Sequence, residues 1–181
     1  LFNSNNRRKI KKVKKNKKNF LKKYSSLLIE TLPYVLTNSQ NNIIDEIDID
    51  LKSPKRMFRI LQGDVGSGKT IVSIISALNT IEAGYQCGLM APTGILAEQH
   101  FTLFKKLIEQ TNLKINFSIL TGKTDIKERK KILDDLKNNK INFLIGTHAL
   151  FQKTIIFNNL GLVIIDEQHK FGVKQRISFA K

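Results

Sequence analysis

The segment GDVGSGKT at residues 63–70 constrains the fold more than any other part of this 181-residue chain. It fits the pattern G-x-x-x-x-G-K-[ST], with Gly63, Gly68, Lys69 and Thr70 at the fixed positions. A short aliphatic run precedes it and apolar residues with helical spacing follow it, as a phosphate-binding loop requires. Glycines let backbone N–H groups turn toward phosphate oxygens, and a helix N-terminus adds partial positive charge. We therefore predict a nucleoside-triphosphate-binding loop between a strand and a helix.

Two residues of this loop have predicted chemical roles. Lys69 would reach the β and γ phosphates, and Thr70 would ligate Mg²⁺. The alternative is a glycine-rich turn that ends in Lys-Thr by chance, and the flanking strand and helix argue against it. The predicted nucleotide-binding residues of the loop are Gly63, Asp64, Val65, Gly66, Ser67, Gly68, Lys69 and Thr70.

A second motif, LVIIDEQH, occupies residues 162–169. Its aliphatic run is typical of a central strand, and ligands of open α/β sheets lie at the carboxyl ends of such strands. Asp166 would hold Mg²⁺ through water, and Glu167 would orient and deprotonate the attacking water. A strand that ends in a solvated acidic turn is the alternative. Together with the loop at 63–70, this motif predicts a nucleotide hydrolase that uses Mg²⁺.

Short aliphatic runs alternate with amphipathic segments, which predicts an α/β fold with a parallel sheet flanked by helices. Thr37 and Gln40 have the spacing of a capping box that opens a helix, and Ser53-Pro54 ends that helix. The predicted strands are 57–62, 85–91, 115–120, 141–145 and 161–165. The predicted helical faces are Ile43, Ile44, Ile47 and Leu51; Ile71, Ile74, Ile75 and Leu78; Ala97, Phe101, Phe104 and Ile108 (helix 94–110); and Ile126, Leu133 and Leu136 (helix 124–138).

The net charge of +16 is concentrated near the start of the chain. Residues 7–23 read RRKIKKVKKNKKNFLKK, with 11 Lys or Arg and no acid. Such a run can bind phosphate backbones through counterion release, or it is a solvated linker in a Lys- and Asn-rich chain. We predict that residues 1–26 are a basic linker or frayed helix and that 27–181 form the folded domain.

Other features narrow the class of protein. A single cysteine, Cys87, excludes a disulfide framework within the chain and favours a reduced, cytoplasmic setting, with Cys87 as a buried thiol. No apolar run reaches the ~18 residues of a membrane helix, and no Cys/His spacing predicts zinc. We therefore expect a cytoplasmic protein with no membrane partner.

The residues that follow Asp166 indicate a particular superfamily of P-loop proteins. With Glu167, Gln168 and His169 they form a D-E-x-H box, which resembles that of superfamily 2 helicases and translocases. The segments MAPTGILAEQHF, LTG and IGTHAL resemble the parts of these motors that contact the DNA backbone. Together with LPYVLTNSQ, ILQGDVGSGKT and LGLVIIDEQHKFGVKQR, they are most similar to the RecG family of branched-DNA helicases over about residues 27–176. Transcription-repair coupling factors share this layout, but Ser67-Gly68 and DEQHKFGV favour the RecG family.

The resemblance implies roles for particular residues in a RecA-like P-loop NTPase lobe. Gln168 and His169 would couple hydrolysis to DNA binding, and Gln40 would contact adenine, cap its helix, or do both. His100 is expected to be structural. Gly94 and Lys170 depart from a family glutamate and arginine, neither of which ligates phosphate or metal. The implied DNA contacts are Pro92, Thr93, Thr121, Gly122, Thr147 and His148, whose hydroxyls and backbone amides suit phosphates.

The resemblance also implies a larger enzyme. We expect the chain to be its first motor lobe, truncated at the C-terminal end, with a second RecA-like lobe after residue 181 and a DNA wedge domain before residue 1. Residues 1–26 would connect the wedge to the motor. The implied activity is ATP-dependent DNA unwinding or translocation on branched DNA, in recombination, replication-fork rescue and repair. The alternatives are an ATP- and DNA-binding module with negligible turnover, a lobe of a coupling-factor-like translocase, and a P-loop ATPase that ignores DNA.

Overall fold

A sheet of four parallel strands organises the protein in the computed structural model, which describes residues 20–64, 66–152 and 154–166. The strands are β1 (Gln86–Met90), β2 (Phe117–Leu120), β3 (Phe143–Gly146) and β4 (Leu160–Ile165). The helices are α1 (Lys23–Thr31), α2 (Asn38–Lys52), α3 (Lys69–Glu82), α4 (Gly94–Thr111) and α5 (Ile126–Lys137), with a 3₁₀ helix at His148–Phe151. The order across the sheet is β2-β3-β1-β4.

The sheet has a hydrophobic core on each face, because successive side chains of a strand point to opposite sides. Phe143 and Ile145 of β3 join the larger core with α1 to α4, whereas Leu144 joins the smaller core with α5. In the larger core the rings of Phe104 and Phe143 meet edge to face, with centroids 4.6 Å apart. Coverage on both faces accounts for the full burial of β1 and β3. The aliphatic run before Asp166, which the sequence predicts as a central strand, instead forms an edge strand of the described sheet, with Leu160 and Val163 44% and 39% exposed.

The predicted α/β class is confirmed, and four of the five predicted strands are present within two residues of their expected bounds. The capping box is formed as predicted: the Thr37 side chain accepts from Gln40 N, and Gln40 Oε1 accepts from Thr37 N. Helix α2 ends at its C-cap Ser53, as the following proline predicts. Cys87 is buried, and within the described residues no helix has the length and apolarity that a membrane span demands.

The predicted strand at 57–62 is wrong in this structure. Its backbone joins no neighbouring strand among the described residues, and the side chains of Phe58 and Ile60 are 74% and 73% exposed. Met57 and Leu61 do pack against the larger core, and the Arg59 guanidinium binds Asp50. An aliphatic run becomes a strand only when a partner strand takes its backbone hydrogen bonds, and the run alone does not encode that partner.

The fourth predicted helix exists, but part of its predicted apolar face is wrong. Ile126 is the first residue of α5 and is 87% exposed, while Ile132 and Leu136 are buried. Asp125 caps the helix by accepting from the backbone N–H groups of Lys127 and Glu128, which fixes Ile126 as the first helical residue. Ile126 therefore lies at the N-terminal end of α5 and contributes little to the core among the described residues.

The packed part of the chain begins before the predicted boundary at residues 26 and 27. Helix α1 starts at Lys23, and Phe20 is already buried. The Lys22 ammonium donates to Asp45 at 2.7 Å and lies 3.1 Å from the buried Asp48. The hydrogen bond to Asp45 raises the pKa of Lys22 above its ordinary value. At least this one charge of the basic run is thus committed to the fold.

Candidate functional site

The predicted site residues that the structure describes lie at one edge of the sheet. Because all four strands are parallel, their carboxyl ends share that edge. Helix α3 packs on β1 and β4 and leads into β1, so its N-terminus lies at the same edge. The segments at this edge are the loop 63–70 before α3, 92–93 after β1, 121–122 after β2, 147–148 after β3, and Asp166 after β4. Val65, Glu167, Gln168 and His169 lie outside the described residues.

The loop wraps around the amino group of Lys69. This ammonium donates to the carbonyl oxygens of Gly63 at 2.6 Å and Asp64 at 2.7 Å, and it lies 3.4 Å from Ser67 Oγ. Gly66 and Gly68 have φ of +83° and +80°, a conformation that side-chain-bearing residues rarely adopt. The described residues therefore place the Lys69 cation against two loop carbonyls and directly beside the N-terminus of α3, an arrangement suited to a bound anion.

Gln40 joins helix α2 to this loop. Its Oε1 accepts from Thr37 N at 2.9 Å, and its Nε2 donates to the Ser67 carbonyl at 3.0 Å. The approach depends on a glycine at position 68, because a Cβ there would lie 2.2 Å from Gln40 Nε2. The capping role of Gln40 that the sequence indicated is present, and its amide also lies directly beside the predicted phosphate loop.

Asp166 is fixed at the end of β4 from two directions. Its backbone N–H donates to the Met90 carbonyl at 2.8 Å, which continues the pairing of β4 with β1. Its Oδ2 lies 2.8 Å from Nε2 of His100, on helix α4. The carboxylate is one-third exposed, so it is open to the sheet edge while its plane is held by the imidazole.

The oxygen atoms of Thr70 and Asp166 suit a metal ion that completes its coordination shell with phosphate and water. Thr70 offers a half-buried hydroxyl in the first turn of α3, and Asp166 offers a carboxylate at the same edge of the sheet. No cluster of three His, Cys, Asp or Glu among the described residues could hold a metal without other ligands. Mg²⁺ suits this arrangement, because it keeps several waters and binds through one or two protein oxygens plus substrate phosphates.

The six predicted DNA-contacting residues differ in accessibility. Thr93, Gly122 and His148 are exposed and Pro92 is half-buried, but Thr121 and Thr147 are 7% and 6% exposed. The Thr121 hydroxyl accepts from Lys123 N at 3.3 Å, so it organises its own turn. Thr93 Oγ1 accepts from Leu96 N and caps α4, and its hydroxyl hydrogen can still donate to a phosphate. The exposed positions are the ones that a nucleic-acid backbone can reach.

The sequence motifs do not predict the contact of His100 with Asp166. His100 is 13% exposed by side chain and lies on the same face of α4 as the buried Ala97 and Phe104. A polar residue that lies three positions after one buried apolar residue and four before another shares their face of the helix. This spacing therefore indicates that the residue is buried, but it does not identify its partner 66 residues away.

Comparison with known proteins defines the class. A family model described as DEAD/DEAH box helicase matches residues 30–181, so the chain belongs to the DEAD/DEAH box helicase family. Among its relatives are the proteins named ATP-dependent DNA helicase RecG of Staphylococcus epidermidis and Staphylococcus aureus, each 53% identical over 148 residues. Those alignments cover 82% of this chain and 21% of each relative.

A solved structure supports the same assignment. It is described as RecG bound to a three-way DNA junction, and it matches with a TM-score of 0.77 and 46% identity over 86% of this chain. The chain corresponds to 21% of that structure, and it therefore spans about a fifth of the length of the relatives it matches. The similarity to RecG helicases that the motifs indicated is confirmed.

Proposed function

We propose that this chain is the ATP-binding and hydrolysing lobe of an ATP-dependent DNA helicase or translocase that acts on branched DNA. The observation that carries the proposal is the shared sheet edge: the loop around Lys69, the N-terminus of α3 and the carboxylate of Asp166 all lie there. The family match and the relatives named as RecG support the reaction and the substrate. We extend the proposal to recombination, fork rescue and repair in the bacterial cytoplasm, by similarity to those relatives.

Lys69 and the loop would bind the triphosphate. The Lys69 ammonium now donates to two loop carbonyls, and on nucleotide binding it would exchange them for β- and γ-phosphate oxygens. Backbone N–H groups of residues 66–70 would surround the same phosphates, because the positive φ of Gly66 and Gly68 turns them inward. Gln40, already beside Ser67, would contact the adenine.

Thr70 and Asp166 would hold Mg²⁺, which neutralises charge on the β and γ phosphates when bound. Glu167 would orient the attacking water and accept its proton. Gln168 and His169 would link this chemistry to DNA binding. The DNA backbone would be met by Pro92, Thr93, Gly122 and His148 through their exposed groups, with Thr121 and Thr147 shaping the turns behind them.

Steady-state ATP hydrolysis with and without forked DNA tests the proposal, in the complete gene product that contains this chain. We expect DNA to stimulate turnover, and Lys69→Ala to reduce it by at least about 10³-fold, because a main source of charge stabilisation is lost. Lys106→Ala is the matched control, since Lys106 is an exposed lysine of α4 outside the site. Turnover that is insensitive to DNA and to Lys69→Ala would refute the proposal.

We also propose that the 181-residue chain alone binds ATP but turns it over slowly. Motors of this kind receive an arginine finger from a second lobe, and such a group contributes ~10³–10⁵ in rate. The chain's share of its relatives' length supports this proposal. Nucleotide titration beside an ATPase assay tests it, and turnover by the chain alone at the rate of the complete protein would contradict it.

A further inference from the structure

The imidazole of His100 connects helix α4 to the end of strand β4. Nε2 of His100 lies 2.8 Å from Oδ2 of Asp166, and the two residues are 66 positions apart. The His100 side chain is 13% exposed and that of Asp166 is 33% exposed. A contact of this length, shielded from water mainly on the imidazole side, fixes the relative position of two groups that the chain brings together only by folding.

The direction of this hydrogen bond follows from the chemistry of the pair. A metal-binding carboxylate is ionised and can only accept, so the role proposed below requires the His100 tautomer that carries its proton on Nε2. This bond holds one carboxylate oxygen of Asp166 in place. The backbone N–H of Asp166 donates to the Met90 carbonyl, which holds the backbone of the same residue. Side chain and backbone of Asp166 are therefore restrained by different elements of the fold.

A packing role alone does not explain a histidine at this position. Its neighbours on the buried face of α4, Ala97 and Phe104, are apolar, and an apolar residue at position 100 would continue that stripe. A nearly buried imidazole costs desolvation unless a partner compensates it. Here the partner is the carboxylate proposed above to hold Mg²⁺, and carboxylates that bind metals are oriented by hydrogen bonds of this kind.

We propose that His100 is a positioning residue for Asp166: it holds the carboxylate in the orientation that binds, through water, the metal of a metal–nucleotide complex. This inference rests on the proposed function, because it takes Asp166 as the carboxylate that holds the metal. His100 contacts neither nucleotide nor metal in this account, and it acts only through Asp166.

The test measures metal affinity rather than turnover, in the complete gene product. Mn²⁺ replaces Mg²⁺, and its dissociation constant in the presence of saturating ADP is obtained from the EPR signal of free Mn²⁺. We expect His100→Leu to weaken Mn²⁺ binding about tenfold or more, as loss of an orienting partner does in other metal sites. Affinity for ADP in EDTA should stay within about twofold, because the loop 63–70 is untouched.

Two further variants separate positioning from packing. His100→Gln places an amide N–H near the position of Nε2 and should restore most of the Mn²⁺ affinity, whereas His100→Asn is too short and should not. This pair decides the matter even where the leucine variant folds poorly. Gln99→Ala, an exposed neighbour on α4, is the matched control and should bind Mn²⁺ like the unmodified protein.

The outcomes distinguish this inference from the proposed function. Loss of ADP binding in Lys69→Ala, together with unchanged Mn²⁺ affinity in His100→Leu, would overturn the role of His100 alone. Equal weakening by His100→Gln and His100→Asn would also overturn it, since packing rather than a hydrogen bond would then be responsible. Wild-type ADP affinity in Lys69→Ala would instead refute the site itself.

Discussion

A single methyl group at position 68 should destabilise the protein more than the same group at position 66. Both glycines have positive φ, +80° and +83°, so alanine at either site carries a backbone cost of about 1–2 kcal/mol. A Cβ at Gly66 meets nothing within 4 Å, whereas a Cβ at Gly68 would lie 2.2 Å from Gln40 Nε2. The Gln40 amide must then leave Ser67, and a hydrogen bond of about 1 kcal/mol is lost. We expect Gly68→Ala to cost about 2–3 kcal/mol and Gly66→Ala about 1–2.

Denaturant unfolding followed by far-ultraviolet circular dichroism measures these differences, because the chain has no tryptophan to report by fluorescence. Gly94→Ala is the control: it begins α4 without positive φ and with open space around its Cβ, so it should be neutral or slightly stabilising. In a Gln40→Ala background the difference between Gly68→Ala and Gly66→Ala should vanish. Equal costs at positions 66 and 68 in the unmodified chain would show that the contact between position 68 and Gln40 adds nothing to the cost.

Four other substitutions test the roles of Gln40, helix α5 and Lys22. Gln40→Glu keeps the acceptor of the capping box but loses the N–H donor to the Ser67 carbonyl. We therefore expect nucleotide affinity to fall while helix content by circular dichroism stays unchanged. A loss of helix would show that the capping box itself was broken. Because Ile132 is buried and Ile126 is exposed, Ile132→Ala should lower the free energy of unfolding by about 2–5 kcal/mol and Ile126→Ala by less than about 0.5. Equal costs would show that α5 packs through a different face. Lys22→Met should destabilise the protein near pH 8, and the deficit should shrink above the ordinary lysine pKa of 10.5, because a raised pKa stabilises the fold only while Lys22 is charged. Denaturation at both pH values checks this, and a pH-independent deficit would assign the effect to packing.

Local signals in the sequence predicted what local interactions determine. The capping box of Thr37 and Gln40 and the apolar stripe of α3 depend on residues within a few positions of each other, and both are present. The strand at 57–62 failed for the opposite reason, since a strand requires a distant partner that its own residues do not specify. Ile126 failed because the cap at Asp125 set the start of the helix, and the periodicity alone could not locate that start.

In the candidate site, too, the local motifs are predictable from the sequence and the distant contacts are not. The loop 63–70 and Asp166 were recognisable because their spacing and flanking elements belong to known motifs. The hydrogen bonds from Gln40 to Ser67 and from His100 to Asp166 join residues 27 and 66 positions apart, and only the folded sheet brings them together. The sequence thus predicts which motif residues belong to the site. It does not predict the side chains that hold those residues in place.

A crystal structure with Mg²⁺ and ADP bound would show whether the nucleotide binds at this edge of the sheet. We expect the diphosphate on the loop 63–70, Lys69 released from the carbonyls of Gly63 and Asp64, and the metal about 2 Å from Thr70 Oγ1, on the side that faces the carboxylate of Asp166. A nucleotide bound away from this loop, or a metal with Asp166 facing away from it, would show that this edge of the sheet is not the nucleotide site.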